Sequence, residues 1–358
     1  MSNFGKLVFY QNILNTMKQY VSLKPYNTFG IDVTARYFTT IDSVASLQAI
    51  LSDQQWKTIP CFILGGGSNI LFTRNFDGLV IHNQIVGIEK INEDDDHIYL
   101  KMGAGENWHQ LVLYCIDHGY AGIENLSLIP GTVGAAPIQN IGAYGVELKE
   151  TLSEVHAIGL HDHQARIFNN AECEFGYRDS IFKNKLKNKY MITQVVLRLN
   201  KKPIFHVDYG AIKEKLNGRE LSIKAISDAV IHIRQEKLPD PKKMPNAGSF
   251  FKNPIVDEKI FLELQKKYPG IIYFKALALP GELLKNSSRV KISAAWLIEQ
   301  CGFKGRRWGN VGVHEHQALV LVNYGNGTGD EIKKLSELIQ KSVTEKFGID
   351  LMTEVNIV

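Results

Sequence analysis

The chain has 358 residues, 44% hydrophobic and 22% charged, the proportions of a globular protein of two or three domains rather than a disordered or fibrous one. Its formal charge of +4 is too mild to argue for nucleic acid and suits a small anionic ligand such as a nucleotide diphosphate. No stretch approaches the ~20 apolar residues of a membrane span. Met1 to Leu23 is broken up by Lys6, Gln11, Asn12, Asn15, Lys18 and Gln19 and lacks the apolar centre of a signal peptide, so a cytoplasmic protein is expected.

The first elements alternate. Ser43 to Ser52 has helical spacing, with Val44, Leu47, Ile50 and Leu51 on one face. Pro60 to Leu64 is a short apolar run that breaks into Gly65-Gly66-Gly67-Ser68-Asn69, and Ile70-Leu71-Phe72 follows at once. Gly78 to His82 and His97 to Met102 are expected strands, and Trp108 to His118 a helix stopped by Gly119. From Glu154 to Leu199 the pattern is strand-like, with a hairpin across Leu160 to Gln164. The alternating run Lys183, Lys185, Lys187, Lys189 reads as a solvated loop between two strands.

The character changes between Asn200 and Lys237. Beyond it, Asp257 to Tyr268, Ile292 to Gln300 and Asp330 to Phe347 are expected helices. The last has Thr328 and Glu331 placed as a capping box and Gly348 as its stop. Ile349 to Val358 alternates, with Ile349, Leu351, Val355 and Ile357 on one face, and is expected to pair as a strand. The whole is an α+β pattern.

Cys61, Cys115, Cys173 and Cys301 are widely spaced and are expected to be reduced thiols. His161-Asp162-His163 and His314-Glu315-His316 place histidines at i and i+2, but neither pair has a third ligand nearby, so no metal is expected.

Two segments carry chemistry. Three glycines after a buried strand let the backbone at Gly65 to Asn69 turn with positive φ and present N–H groups to a diphosphate. Taken alone, that segment is equally well a plain tight turn. Ile129-Pro130-Gly131-Thr132-Val133-Gly134-Ala135-Ala136-Pro137-Ile138-Gln139-Asn140-Ile141-Gly142-Ala143-Tyr144-Gly145 is denser in small residues than a core or a surface loop would be. It leaves room for a large flat ligand held by main-chain hydrogen bonds.

These two segments occur in order with Asn27 to Asp32, Gly176-Tyr177-Arg178-Asp179-Ser180, Asn246 to Pro254 and Val313 to Ala318. Together they resemble the UDP-N-acetylenolpyruvoylglucosamine reductase family of peptidoglycan synthesis, from about Ser22 to Val358. Phe205 to Ile212, with Tyr209, is similar to the branch in which a tyrosine loop closes over the substrate. The resemblance implies an FAD-binding fold of the vanillyl-alcohol oxidase type, with non-covalent FAD, plus a C-terminal α+β substrate domain. The implied limits are an N-terminal extension over 1–21, a flavin-binding part over 22–200 completed by a strand at 349–358, a tyrosine loop and connection over 201–236, and a substrate domain over 237–348.

By the resemblance, Arg178, Ser249 and Glu354 are the catalytic residues. Arg178 and a protonated Glu354 would stabilise the negative charge left by hydride addition, and Ser249 would deliver the proton. The implied flavin contacts are Gly65, Gly66, Gly67, Ser68, Asn69, Ile129, Pro130, Gly131, Thr132, Gly134, Ala135 and Gly142. Tyr209, Lys237, Asn253 and Gln317 would bind the UDP-sugar, and Arg234, one helical turn before Lys237, would share that work. Read without the family, Arg178 is an ordinary ion-pairing strand residue, Ser249 a turn hydroxyl and Glu354 the wet side of an edge strand. NADPH is the implied electron donor and a monomer the expected state, with neither nucleic acid nor membrane as partner. The rival is another flavoprotein of the same fold acting on a sugar or lactone. Lys267 to Arg289 is longer than the family usually has.

Overall fold

The computed structural model describes residues 17–275 and 289–358. They form two compact units, each built from non-adjacent stretches. The first holds 34–67 and 75–236 together with the described residues before 23; the second holds 23–33, 68–74 and 237–358. The part of the expected N-terminal extension before Met17, and the part of the long segment over 276–288, lie outside the described residues.

The first unit has two sheets. In one, Thr34–Ile41, Phe76–Asn83 and Cys61–Leu64 run parallel, and Lys18–Ser22 pairs antiparallel on the edge. Parallel strands need a crossover, and the Val44–Ser52 helix, capped by the Ser43 hydroxyl, lies in the one from Thr34–Ile41 to Cys61–Leu64, which has Phe76–Asn83 between its two strands. Its apolar face, Leu47, Ile50 and Leu51, packs with Ile41, Leu79 and Ile81.

The other sheet is antiparallel, in the order Ala165–Asn169, Leu152–Gly159, Tyr190–Asn200, His97–Gly103, Ile88–Glu93. The expected hairpin closes through His163 N on Gly159 O at 3.0 Å, with His163 at φ +60°. Against this sheet the Trp108–Asp117 helix buries Trp108, Leu111, Val112 and Cys115. The Lys183 to Lys189 run lies in the turns before Tyr190, with Lys185 exposed and 2.8 Å from Glu174.

Residues 201–236, expected as loop and connection, contain two helices, Gly210–Leu216 and the first fourteen residues of Ile223–Lys237. Ile226, Val230 and Ile233 of the second pack on Ile212 and Leu216 of the first. That helix carries a plain helical period in the sequence, with Ile223, Ile226, Val230 and Ile233 on one face.

In the second unit, Asn246–Ser249, Val320–Asn323, Val311–Val313 and Arg307–Trp308 form an antiparallel sheet. The Gly329–Phe347 helix has the expected capping box, Glu331 N to Thr328 Oγ1 at 3.2 Å and Thr328 N to Glu331 Oε2 at 2.7 Å, and ends on Gly348 at φ +66°. A smaller sheet joins Ile255–Asp257, Arg289–Ile292 and Tyr273–Lys275. The final segment is less of a strand than its alternation suggests. Ile349, Leu351 and Val355 are buried, but Ile357 is 40% exposed; apart from a single bridge between Thr353 and Phe251, only Asn356–Ile357 forms a ladder, in parallel with Ile70–Leu71.

Among the described residues no helix is long and apolar enough to cross a membrane. The four cysteines are unpaired, and burial pushes the thiols of Cys61, Cys115 and Cys173 up to about 12, which keeps them protonated and unreactive.

Candidate active site

In the first unit, the strand Cys61–Leu64 delivers the chain into the glycine turn. A Cβ on Gly65 would lie 2.6 Å from Thr132 Oγ1, and one on Gly66 would lie 3.0 Å from the Gly131 Cα. The two small-residue segments therefore meet main chain to main chain. Gly67 at φ +60° and Gly131 at φ +114° adopt backbone conformations that cost other residues strain. Gly134 is held against the strand end by its N–H on Ala104 O at 2.8 Å, where a Cβ would meet that of Ala104 at 2.5 Å. Ala135 faces Gly65, and Ile129 packs on the core of the antiparallel sheet. Pro130 lies between Ile129 and Gly131 and is largely exposed. Such a surface of bare backbone fits a flavin dinucleotide, whose diphosphate needs N–H groups and whose flat rings need space free of side chains.

Arg178 sits in a tight turn. Gly176 and Asp179 exchange backbone bonds of 3.0 and 3.3 Å, and Arg178 holds φ +53°, a left-handed conformation costing a bulky residue roughly 1–3 kcal/mol. Its guanidinium donates to Gly142 O, and a Cβ on Gly142 would come within 2.8 Å of the same guanidinium. Glycine is therefore needed at 142 for Arg178 to lie where it does.

A second guanidinium is close by. Arg234 is bonded to the Tyr144 hydroxyl, and its Nε is buried without a partner. Burial lowers its pKa and Arg178 adds to the effect, while Tyr144 opposes both. Burial, and then Arg234, keep His109 below the usual imidazole value. Tyr209, 42% exposed, sets its ring edge-on to Tyr144 at 5.3 Å. An anion would relieve the charge crowded here.

In the second unit, the strand carrying Ser249 is irregular. Asn246 pairs with Val322 and Ser249 with Val320, so the first strand has one residue more between the pairs, and Gly248 takes φ +69°. Such a bulge re-aims the side chain that follows. Phe250 N donates to Leu319 O at 2.7 Å, and Glu354 N to Phe250 O at 2.8 Å, so the segment carrying Glu354 lies beside the chain just after Ser249. Asn69 is tied to the same segment, its Nδ2 3.2 Å from Glu354 O. Ser68 is half-buried beside it. Asn253 Oδ1 accepts from Ala294 N at 2.9 Å, helping to cap the Ala294–Gln300 helix. Gln317 Oε1 accepts from Leu319 N at 3.3 Å. Lys237 is the exposed last residue of its helix.

Several polar residues of the first unit escaped sequence reasoning. Asn125 is 1% exposed, and its Nδ2 bridges Tyr144 O at 3.0 Å and His206 O at 2.8 Å. Beside it Glu124, 2% exposed, keeps Oε1 unpartnered, and burial raises its pKa. Asn140 is wholly buried at φ +45°. The available signal was an amide inside an otherwise apolar run, since asparagine tolerates that conformation best after glycine. Among the described residues no three His, Cys, Asp or Glu side chains group as a metal site.

The parallel-plus-antiparallel first unit with its glycine cradle defines the class, an FAD-binding flavoprotein oxidoreductase. Residues 35–159 match an FAD-binding domain, and residues 240–358 match the C-terminal domain of UDP-N-acetylenolpyruvoylglucosamine reductase. The chain is 54% identical to the UDP-N-acetylenolpyruvoylglucosamine reductase of Amoebophilus asiaticus over 345 residues, covering 96% of this chain and 99% of the relative. With that of Flavobacterium johnsoniae it shares 49% identity over 94% of this chain and 98% of the relative. It belongs to the UDP-N-acetylenolpyruvoylglucosamine reductase family. The crystal structure of the Thermus caldophilus reductase matches the fold with a TM-score of 0.63 at 24% identity, over 94% of this chain and 97% of the other. p-Cresol methylhydroxylase matches with a TM-score of 0.52 at 13% identity, over 99% and 89%. That second likeness fits the vanillyl-alcohol oxidase type of fold expected from the motifs.

Proposed function

We propose that the protein uses FAD and NADPH to reduce the enolpyruvyl double bond of UDP-N-acetylglucosamine enolpyruvate, giving UDP-N-acetylmuramate. The observation that carries this reading is the bulged Ser249, presented next to the segment carrying Glu354 and matched by position to the family's proton donor. Gly65 to Asn69 and Ile129 to Gly142 would hold FAD, which when bound would supply to the enolpyruvyl group a hydride drawn from NADPH.

The remaining work belongs to the chain. Hydride addition at C3 leaves an electron pair at C2, delocalised into the carboxylate. The fixed Arg178 guanidinium stabilises that charge, with the Glu354 carboxyl as its second polar partner. The Ser249 hydroxyl gives its proton to C2, which completes the addition of one hydride and one proton across the double bond. A serine alkoxide is a poor product, so reprotonation of Ser249 from water accompanies the step. Tyr209, Arg234, Lys237, Asn253 and Gln317 hold the UDP-sugar, with the partly desolvated Arg234 the strongest anion donor of the set. The enzyme acts as a cytoplasmic monomer.

The test is a stopped-flow separation of the two half-reactions. Ser249→Ala should slow reoxidation of reduced flavin by the enolpyruvyl sugar by about 100-fold or more, the scale of general-acid catalysis, with reduction by NADPH unchanged. Reoxidation at the wild-type rate sinks the reading.

A further inference from the structure

We propose that Asn140 is a positioning residue for the reaction, holding the strained turn from which Arg178 reaches the substrate. The proposal rests on the role given to Arg178 above.

Arg178 cannot hold its conformation by itself. It is a long side chain at φ +53°, in a turn whose own closure is the pair of backbone bonds between Gly176 and Asp179. Strain of this kind persists only where surrounding structure over-determines it. Asn140, 36 residues before Gly176, provides that restraint. Its Nδ2 donates to Gly176 O at 3.0 Å and to Glu147 Oε2 at 3.1 Å, and its Oδ1 accepts from Lys149 N at 3.0 Å. The side chain is 0% exposed, so each of these bonds is made without competition from water.

The other side of the turn is fixed to the same segment. Ser180 Oγ donates to Ile138 O at 2.7 Å. The guanidinium itself donates to Gly142 O. Asn140, Ile138 and Gly142 thus hold the turn before, after and at the arginine. Of the three, Asn140 alone acts through a side chain of its own, and it is itself left-handed at φ +45°. Only an amide serves there, with two donors for two acceptors and one acceptor for a backbone N–H.

Asn140→Gly is the informative variant, because glycine keeps the left-handed backbone and removes only the side-chain bonds. The flavin is the reporter. In stopped-flow, reduction by NADPH should stay within about twofold of wild type, while reoxidation by the enolpyruvyl sugar slows by roughly 10- to 100-fold, the penalty for a misplaced catalytic group. Asn140→Asp, which sets a carboxylate against Gly176 O and Glu147, should be at least as slow. In the double variant with Arg178→Ala, Asn140→Gly should add no further loss, because residues acting as one unit are not additive.

Equal slowing of both half-reactions overturns the proposal, since it marks general damage to the flavin site. So does a double variant in which the two losses multiply. If Arg178→Ala slows reoxidation and Asn140→Gly does not, only the positioning role fails. If Arg178→Ala is itself without effect, the functional reading fails with it.

Discussion

Replacing Gly65 with alanine tests the flavin cradle. The backbone at Gly65 lies outside the left-handed region, so alanine brings no conformational strain and the effect is steric. Its Cβ would meet Thr132 Oγ1 at 2.6 Å, well inside van der Waals contact, with the Ala135 Cβ behind it at 3.9 Å. Forcing one methyl into a packed site costs about 1–3 kcal/mol. If the cradle must open by that much to bind flavin, the Kd for FAD rises by roughly 5- to 150-fold, at a factor of ten per ~1.4 kcal/mol. The assay is titration of the apoprotein with FAD, followed by quenching of flavin fluorescence.

A rescue makes the argument specific. Thr132→Ala removes the oxygen that the methyl added by Gly65→Ala would strike, and its own FAD affinity, measured alone, sets the baseline for the double variant. Gly65→Ala with Thr132→Ala should recover most of the lost affinity. Wild-type affinity in the single variant, or no recovery in the double, refutes the packing argument.

Two further predictions concern stability. Burial raises the Glu124 carboxyl against the opposing Gly122 amide. With its folded pKa above the unfolded value of ~4.3, the unfolded chain gives up this proton first, and the stability is lost as pH rises through the folded pKa. The melting temperature of Glu124→Gln relative to wild type should therefore climb as the pH is raised from about 4 to 8, and a constant difference counts against it. Thr328→Ala removes the capping box of the Gly329–Phe347 helix and should cost about 1 kcal/mol in urea unfolding, with an unchanged midpoint as the contrary result.

Local features were readable before the structure because they are local in cause. The stop at Gly119, the Thr328 and Glu331 box and the stop at Gly348 each depend on residues a few positions apart. The glycine turn was readable as a close approach, but its partner was not, because Gly66 meets Gly131 from 65 positions away. Ser249 appears in the sequence as a turn hydroxyl. The bulge that aims it depends on register with Val320 and Val322, which no local pattern encodes. Asn125 and Asn140 were hidden for the same reason. An amide's partners here are carbonyls up to 81 residues away, and only the closed fold brings them within reach. The Ile349 to Ile357 alternation misled in the other direction. Burial on a common side requires neighbours, not a ladder, and only its end has a ladder.

The second unit draws on three separate stretches of chain, and this sets a timetable for synthesis. Phe29 and Phe72 are wholly buried there, Phe29 edge-on to Phe250 at 6.3 Å. Thr73 bonds to Val358, 285 residues downstream, and Asn323 Nδ2 to Phe29 O across 294. At ~5–20 residues per second on the ribosome, those aromatic side chains wait roughly 15–60 s for their cover. During that interval they are apolar surface in water, open to chaperones and to other nascent chains. The early stretches thus emerge well before the chain that covers them and are among the last parts of their unit to become native.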